Sequence, residues 1–365
     1  MQILLSHKDI FQNRPPVISS LLILSDLGHK VYLLTEGINP FWQKELTKRG
    51  VEVFVASNRW SGKCGIIGKI MSYLSYRKKF YSLIHRLFPH GNEGILWIEG
   101  APALVAIGAS LKHYHYILQI QELHEKHKYQ LNAISKVIRQ ALCVFMPEYN
   151  RTVLYQCWFS LTKRPIVLPN KPYFLPNEAQ LNSLKEKYRD RLEIFETKKV
   201  ILYQGNIGRD RDLTAFLKAV ATMPEFCFVF LGNDCGMLEH YRKVNPHLIY
   251  LGFIPAPEYL VFTSLCYIGI VSYDANVLNN AYCAPNKIYE YSAFGKPMIG
   301  NDIPGLKEIE VCGAACLVDE TDSASISNAI SLISFQYEKY SDASRSFFKK
   351  TDNKQIVETA LRNIK

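Results

Sequence analysis

The chain has 365 residues, 48% of them apolar and 21% charged. This is ordinary globular composition and excludes a disordered chain, a collagen-like fibre and a coiled-coil fibre. At roughly 150 residues per domain the length predicts two domains, each large enough to bury a core without metals or disulfides. The net charge of +10 predicts an anionic ligand, a nucleic acid or an acidic membrane surface, and does not choose among them.

No apolar stretch reaches the roughly 18–20 residues that span a bilayer. The longest, 101–111, is interrupted by Pro102, Gly108 and Ser110. Residues 1–7 lack a basic start and a small-residue cleavage site, so they read as a buried first strand rather than a secretory signal. The nine cysteines are irregularly spaced and most lie in apolar runs, as at Cys143, Cys227 and Cys266. They are expected to be reduced core thiols of a cytosolic protein.

Along the chain, short apolar runs alternate with helical patterns. The predicted strands are 2–6, 31–35, 51–56, 95–99, 116–120, 142–146 and 166–168, then 200–204, 226–231, 248–251, 268–272, 297–300 and 315–318. Runs that are apolar throughout are buried on both faces, which predicts parallel sheets covered by helices. A helix is expected over 16–27, closed by Gly28. Pro165, Pro169, Pro172 and Pro176 punctuate the meeting of the two series, and the domain boundary is placed there. The expected domains are 1–168 and 169–345. A C-terminal helix over 346–365 is expected to cross back to the first. Ligands of doubly wound sheets bind beyond the carboxyl ends of the strands, so the site is expected in a cleft between two such domains.

Two motifs carry the chemistry. The first is the run 203–213, with Gly205, Gly208, Arg209, Asp210, Arg211 and Asp212. Glycines let a backbone approach a ligand closely, a helix start near Asp212 offers N–H groups, and two arginines stand beside it. That suits a diphosphate; a solvated loop with Arg–Asp pairs is the plainer alternative. The second is the run 283–297, with Pro285 expected to open a helix and Gly295 and Pro297 to close it. Lys287 and Glu290, three apart, share a face. A carboxylate there can accept from a ribose diol and a lysine can meet phosphate; the alternative is an exposed helical ion pair.

Taken in order, Tyr203-x-Gly205, Arg211-Asp212-Leu213, Leu231-Gly232, Leu251-Gly252-Phe253-Ile254-Pro255, Pro285-Asn286-Lys287-x-Tyr289-Glu290-Tyr291 and Gly295-Lys296-Pro297 resemble the donor domain of GT-B glycosyltransferases. The similarity is greatest to glycosyltransferase family 4 and its group 1 relatives, over about 200–330. The resemblance implies an α/β protein of two Rossmann-like doubly wound domains facing a cleft that holds a nucleotide-sugar. It places Arg211 at the family's phosphate-binding lysine, Glu290 at its ribose-binding glutamate and Lys287 on the diphosphate. Gly205, Arg209, Asn286 and Ile288 belong to the same donor site. The backbone at Phe253 and Ile254 would face the base, and Tyr273 would border the pocket. The family often carries a second acid eight residues before the glutamate. Tyr282 stands there, so that acid is missing or supplied elsewhere, as by Asp274.

In the first half, His7 ends the first strand and Asn13-Arg14-Pro15-Pro16 precede the first helix. Glu122 and His124 follow the strand 116–120 and are expected to contact acceptor or donor sugar, with a structural role as the alternative. No metal-ligand spacing is present, and the family holds phosphates with cationic side chains and helix ends. The segment 66–89 interleaves Lys69, Arg77, Lys78, Lys79 and Arg86 with aromatics. It reads as an interfacial helix on an anionic membrane or as a core helix with a charged outer face. No nucleic-acid recognition motif accompanies it.

The expected function is a metal-independent, hexosyltransferase-like enzyme with no cofactor beyond its UDP- or GDP-linked donor substrate. It would move a sugar to a hydroxyl of a glycan or lipid-linked acceptor in bacterial surface polysaccharide synthesis, with retention. It would be cytoplasmic, or peripheral at the inner membrane face. A sugar-nucleotide epimerase and a non-catalytic nucleotide-sugar-binding protein are the other two readings.

Overall fold

The structure, a computed structural model, describes residues 1–56, 65–90, 93–209 and 211–364. Asp210 of the first motif lies outside the described residues. The chain forms two compact units: Met1–Tyr173 with Asn353–Lys365, and Phe174–Asp352.

The first unit is built on β1 (Gln2–Ile10), β2 (Lys30–Gly37), β3 (Glu52–Val55), β4 (Gly94–Glu99), β5 (Tyr116–Gln119), β6 (Cys143–Met146) and β7 (Ile166–Val167). These make one sheet in the order β3-β2-β1-β4-β5-β6-β7, every pair parallel. Its two faces are buried by alternate residues. Leu4, Leu34, Leu96, Ile98 and Leu118 pack with Tyr76, Phe80, Leu83 and Ile84 of the helix Gly65–Leu87. On the opposite face, Ser20 of the helix Pro15–Asp26 donates to Gln119 Oε1 at 2.8 Å. That helix carries prolines at its start, where absent N–H groups cost nothing, and is followed by Gly28 at φ 77°.

The second unit is built on β8 (Lys199–Gln204), β9 (Phe226–Leu231), β10 (Ile249–Tyr250), β11 (Ile268–Val271), β12 (Met298–Asn301) and β13 (Ala315–Val318). Their order is β10-β9-β8-β11-β12-β13, again parallel throughout. Val200, Leu202 and Val229 enter one hydrophobic core, and Ile201, Tyr203, Phe228 and Phe230 enter the other. Burial on both faces explains why these strands read as unbroken apolar runs. The order reverses between β1 and β4 in one sheet and between β8 and β11 in the other, the places where open α/β sheets form a ligand crevice.

The unit boundary falls at Tyr173 and Phe174. The helix Tyr337–Lys350 stays with the second unit, where Ser344 donates to the Lys296 carbonyl at 2.8 Å. The helix Asn353–Arg362 returns to the first, where Asn353 donates to the Pro169 carbonyl at 2.8 Å. Among the described residues eight cysteines are free. Cys157 and Cys235 are exposed, so the expectation of core thiols does not hold for those two. Among the described residues no helix is long and apolar enough to cross a membrane.

Candidate functional site

The site in the second unit is made where β8 ends. The chain leaves Gln204 through Gly205, whose φ of +139° disfavours any side chain. A Cβ there would lie 3.1 Å from Lys287 Nζ, 3.3 Å from Lys287 Cε and 3.6 Å from an Arg211 guanidinium nitrogen. At Gly232, after β9, a Cβ would lie 2.0 Å from the Gly205 carbonyl oxygen. The two glycines therefore let two loops touch through bare backbone and leave room for two cations above it.

Both cations rest on aromatic rings. Lys287 Nζ is 4.1 Å from the centre of the Tyr203 ring and 5.6 Å from that of Tyr273. The Arg211 guanidinium carbon is 4.5 Å from the Tyr273 centroid, and its Nη1 donates to the Tyr203 hydroxyl at 3.2 Å. Asn301 fixes Tyr273 by accepting from its N–H at 3.1 Å and donating to its carbonyl at 2.7 Å. Lys287 is only 8% exposed. A cation so far from water is costly unless π faces and negative charge meet it.

Glu290, one turn along the helix Asn286–Ala293, supplies negative charge. Its carboxylate accepts from the Tyr259 hydroxyl and from Gln204 Nε2, and Gln204 Oε1 accepts from Thr263 at 2.8 Å. Burial pushes the Glu290 carboxyl up to about 7, opposed by Tyr259, the Lys287 charge and Gln204. Lys287 and Glu290 are thus not an exposed helical pair. The helix itself is anchored by Tyr291, whose hydroxyl donates to the Leu202 carbonyl at 2.8 Å. The Tyr291 ring lies where a Cβ on Gly269 would come within 2.5 Å.

Gly205, Arg211, Tyr273, Lys287 and Glu290 are therefore gathered in one place. Around them, Asn286 is the first residue of the helix, after Pro285 at the cap, and Ile288 is buried in the core. Arg209 is exposed. Phe253 is exposed and Ile254 is a core residue. Tyr282 caps the short helix Leu278–Ala281. Asp274 accepts from the Asn276 N–H at 3.0 Å, an ordinary turn contact. The helix expected near Asp212 starts at Thr214. Its Leu213 N–H donates to the Tyr241 hydroxyl at 3.1 Å and its Thr214 N–H to Asp212 at 2.9 Å, so those two donors are occupied.

The first-unit candidates stand on their own sheet. Glu122 lies 3.7 Å from the buried Arg151 guanidinium, and Arg151 donates to the Gln121 carbonyl. His124 has φ 61°; burial lowers its pKa, against the opposing charge of Glu122. His7 does not end the first strand as expected: it is buried within β1, which runs on to Ile10, and Arg14 pairs with Asp9 at 3.4 Å. Sequence reading passed over Gln204, Tyr259 and Glu99. Gln204 directly precedes the key glycine and Glu99 is a carboxylate ending an apolar strand, signals visible in the chain. Tyr259 carried none.

The two doubly wound units define a GT-B fold. Residues 198–334 match the family model described as Glycosyl transferases group 1. The chain is 26% identical over 137 residues to the putative teichuronic acid biosynthesis glycosyltransferase TuaH of Bacillus subtilis, covering 36% of this chain and 34% of that protein. The match thus spans about a third of the relative's length. Among solved structures, the Anabaena protein HepE in complex with UDP and glucose aligns with a TM-score of 0.73 at 14% identity, over 100% of this chain and 99% of its own. A glycosyltransferase from Rickettsia africae aligns with a TM-score of 0.68 at 13% identity, over 100% and 98%. The sucrose-phosphate synthase of Thermosynechococcus elongatus aligns with a TM-score of 0.65 at 13% identity, over 99% and 94%.

Proposed function

We propose that this chain transfers a sugar from a nucleoside diphosphate to a hydroxyl of an acceptor glycan. The observation that carries the reading is the seating of Lys287 and Arg211 together over Gly205. Two cations on rigid aromatic supports, over bare backbone, suit a diphosphate whose charge grows as the glycosidic bond to it breaks. The acceptor oxygen forms the new bond to the anomeric carbon and passes its proton to the departing diphosphate, which leaves with the electron pair of the broken bond. Glu290, within the network of Tyr259 and Gln204, positions Lys287 and offers its remaining lone pairs to a ribose diol. Side chains supply the positive charge, so the reaction needs no metal, and the anomeric configuration is retained as the family resemblance implies.

UDP in the HepE complexes supports a UDP-linked donor over a GDP-linked one. The name of the Bacillus relative supports a surface polysaccharide or its lipid-linked precursor as acceptor. An acceptor at a membrane fits the first unit's helix Gly65–Leu87. It exposes Ile66, Ile67, Ile70, Met71 and Leu74 together, and Arg77 and Lys78 continue the same side one turn on. This gives an inner-face, membrane-peripheral enzyme.

A panel of nucleotide sugars tests the reading. Donor hydrolysis, or transfer to an added acceptor, is the expected result. An isomerised donor points to an epimerase, and thermal stabilisation without turnover points to a binding protein; either overturns it.

A further inference from the structure

The Glu290 carboxylate is held from two sides, and its holders form a chain of hydrogen bonds across three elements. Glu290 Oε2 accepts from Gln204 Nε2, on the last residue of β8, and Oε1 accepts from the Tyr259 hydroxyl, at the N-terminal cap of the helix Leu260–Leu265. Gln204 Oε1 accepts in turn from the Thr263 hydroxyl at 2.8 Å, one turn along that helix. The other acceptor in reach of Thr263, the Tyr259 carbonyl, is 3.5 Å away. Thr263 is 0%, Gln204 4% and Glu290 4% exposed.

The order of the chain fixes the sense of every bond in it. An amide presents an oxygen on one side and an NH₂ on the other, so it either holds a carboxylate or repels it. The Thr263 hydroxyl decides which. By donating to the amide oxygen it turns the NH₂ of Gln204 toward Glu290. The phenol of Tyr259, facing a carboxylate, donates as well.

Two donors on two different oxygens also fix the carboxylate plane. The terminal torsion of a glutamate is otherwise broad. A carboxylate has about four lone-pair sites, two on each oxygen. One on each is taken by the protein, so one on each is left, in a plane that Gln204 and Tyr259 set. Two oxygens with one open site each match two neighbouring hydroxyls. Holding that plane before a ligand arrives spares the cost of ordering it on binding. Gln204 also directly precedes Gly205, so the strand end that seats the two cations orients this acid too.

We propose that Gln204 and Tyr259 are positioning residues that fix the Glu290 carboxylate for a vicinal diol, with Thr263 setting the sense of the Gln204 amide. This rests on the donor-site reading above, in which the diol is a nucleotide's ribose. Its consequence is a specificity: the network makes the site prefer a ribonucleotide to its deoxy counterpart.

Titration calorimetry on the full chain tests this, with UDP against 2′-deoxy-UDP and GDP against 2′-deoxy-GDP. The wild type is expected to bind one ribonucleotide about tenfold or more tighter than its deoxy form, by one charge-assisted hydrogen bond. Tyr259→Phe and Thr263→Val each remove a hydroxyl and little volume. Each is expected to cut that preference to about threefold or less, because the carboxylate plane is no longer fixed. Thr263→Ser keeps the hydroxyl and should keep the preference. A merely structural network would lower the melting temperature of these variants and leave the ratio alone. An unchanged ratio in either folded variant therefore overturns the inference; if one fails to fold, the other carries the comparison. A wild type that binds UDP or GDP no better than the deoxy form also overturns it, and leaves the donor-site reading standing. Binding of none of the four removes both.

Discussion

The Lys287 ammonium lies 4.1 Å from the centre of the Tyr203 ring, and the same tyrosine's hydroxyl accepts from Arg211. One side chain on β8 thus holds both cations of the candidate donor site. Tyr203 is itself locked, its ring in the core and its hydroxyl donating to the Asn206 carbonyl at 3.1 Å. The cations are set before a ligand arrives, which spares the ordering cost of two long side chains.

Gly205→Ala tests how tightly that arrangement is built. The new methyl meets Lys287 at 3.1 Å and forces a side chain onto φ +139°. Lysine can yield, but the backbone strain remains, at roughly 1–3 kcal/mol. Thermal melts should show lowered stability, and titration calorimetry should show weaker UDP binding. An unchanged pair of values would mean the turn relaxes freely.

Glu290→Gln should disturb folding as well as donor binding. The carboxylate accepts from two donors, Tyr259 and Gln204, and an amide turns an NH₂ toward one of them. A misplaced buried donor costs about 1–3 kcal/mol. The sign with pH follows from burial. The folded carboxyl sits near 7 against its ordinary 4.5, so the folded state keeps a proton the unfolded state releases. That contribution to stability is full below 4.5 and is lost as pH rises to 7. Melting temperature against pH should decline less steeply across this window in the variant.

His7 and Glu99 act in opposite senses. His7, lowered from 6.5 to about 4, contributes stability above 6.5 that is lost as pH falls toward 4. Glu99, raised from 4.5 to about 8, contributes stability that is lost as pH rises to 8. Between pH 7 and 8 Glu290 completes its titration and Glu99 is the group that keeps more of its proton, so Glu99→Gln should flatten the decline there. Equal slopes in wild type and variant would place the Glu99 proton elsewhere.

The exposed helix face predicts membrane binding. Ile66, Ile70 and Leu74 are spaced by four and exposed. Replacing all three with serine removes apolar contacts worth roughly 1.5–3 kcal/mol each when buried. Sedimentation with phosphatidylglycerol vesicles should fall about tenfold or more. Wild-type protein that stays in solution with such vesicles at low salt would end this reading.

Most of the architecture was legible because the central strands are buried on both faces and so appear as apolar runs. The Lys287–Glu290 helix was legible from its proline and glycine bounds. The surroundings of Glu290 were not. Its two donors come from β8 and from the turn before the helix Leu260–Leu265, brought beside it only by packing. Tyr259 has no local mark among 22 tyrosines. In the helix Gly65–Leu87, Tyr76, Phe80, Leu83 and Ile84 enter the core, while its first turns are exposed and apolar. Periodicity alone does not say which end of a helix the core covers. Tyr282 stands where the family's second acid was expected, and no other residue announces itself as the replacement.

The most direct test compares UDP with uridine by titration calorimetry on wild type, Arg211→Ala and Lys287→Ala. A charge-assisted hydrogen bond to phosphate contributes about 1.5–3 kcal/mol. Each variant should therefore lose roughly tenfold or more in UDP affinity and leave uridine binding nearly unchanged. UDP binding that survives both substitutions, or equal losses for UDP and uridine, would contradict a diphosphate held by these two cations.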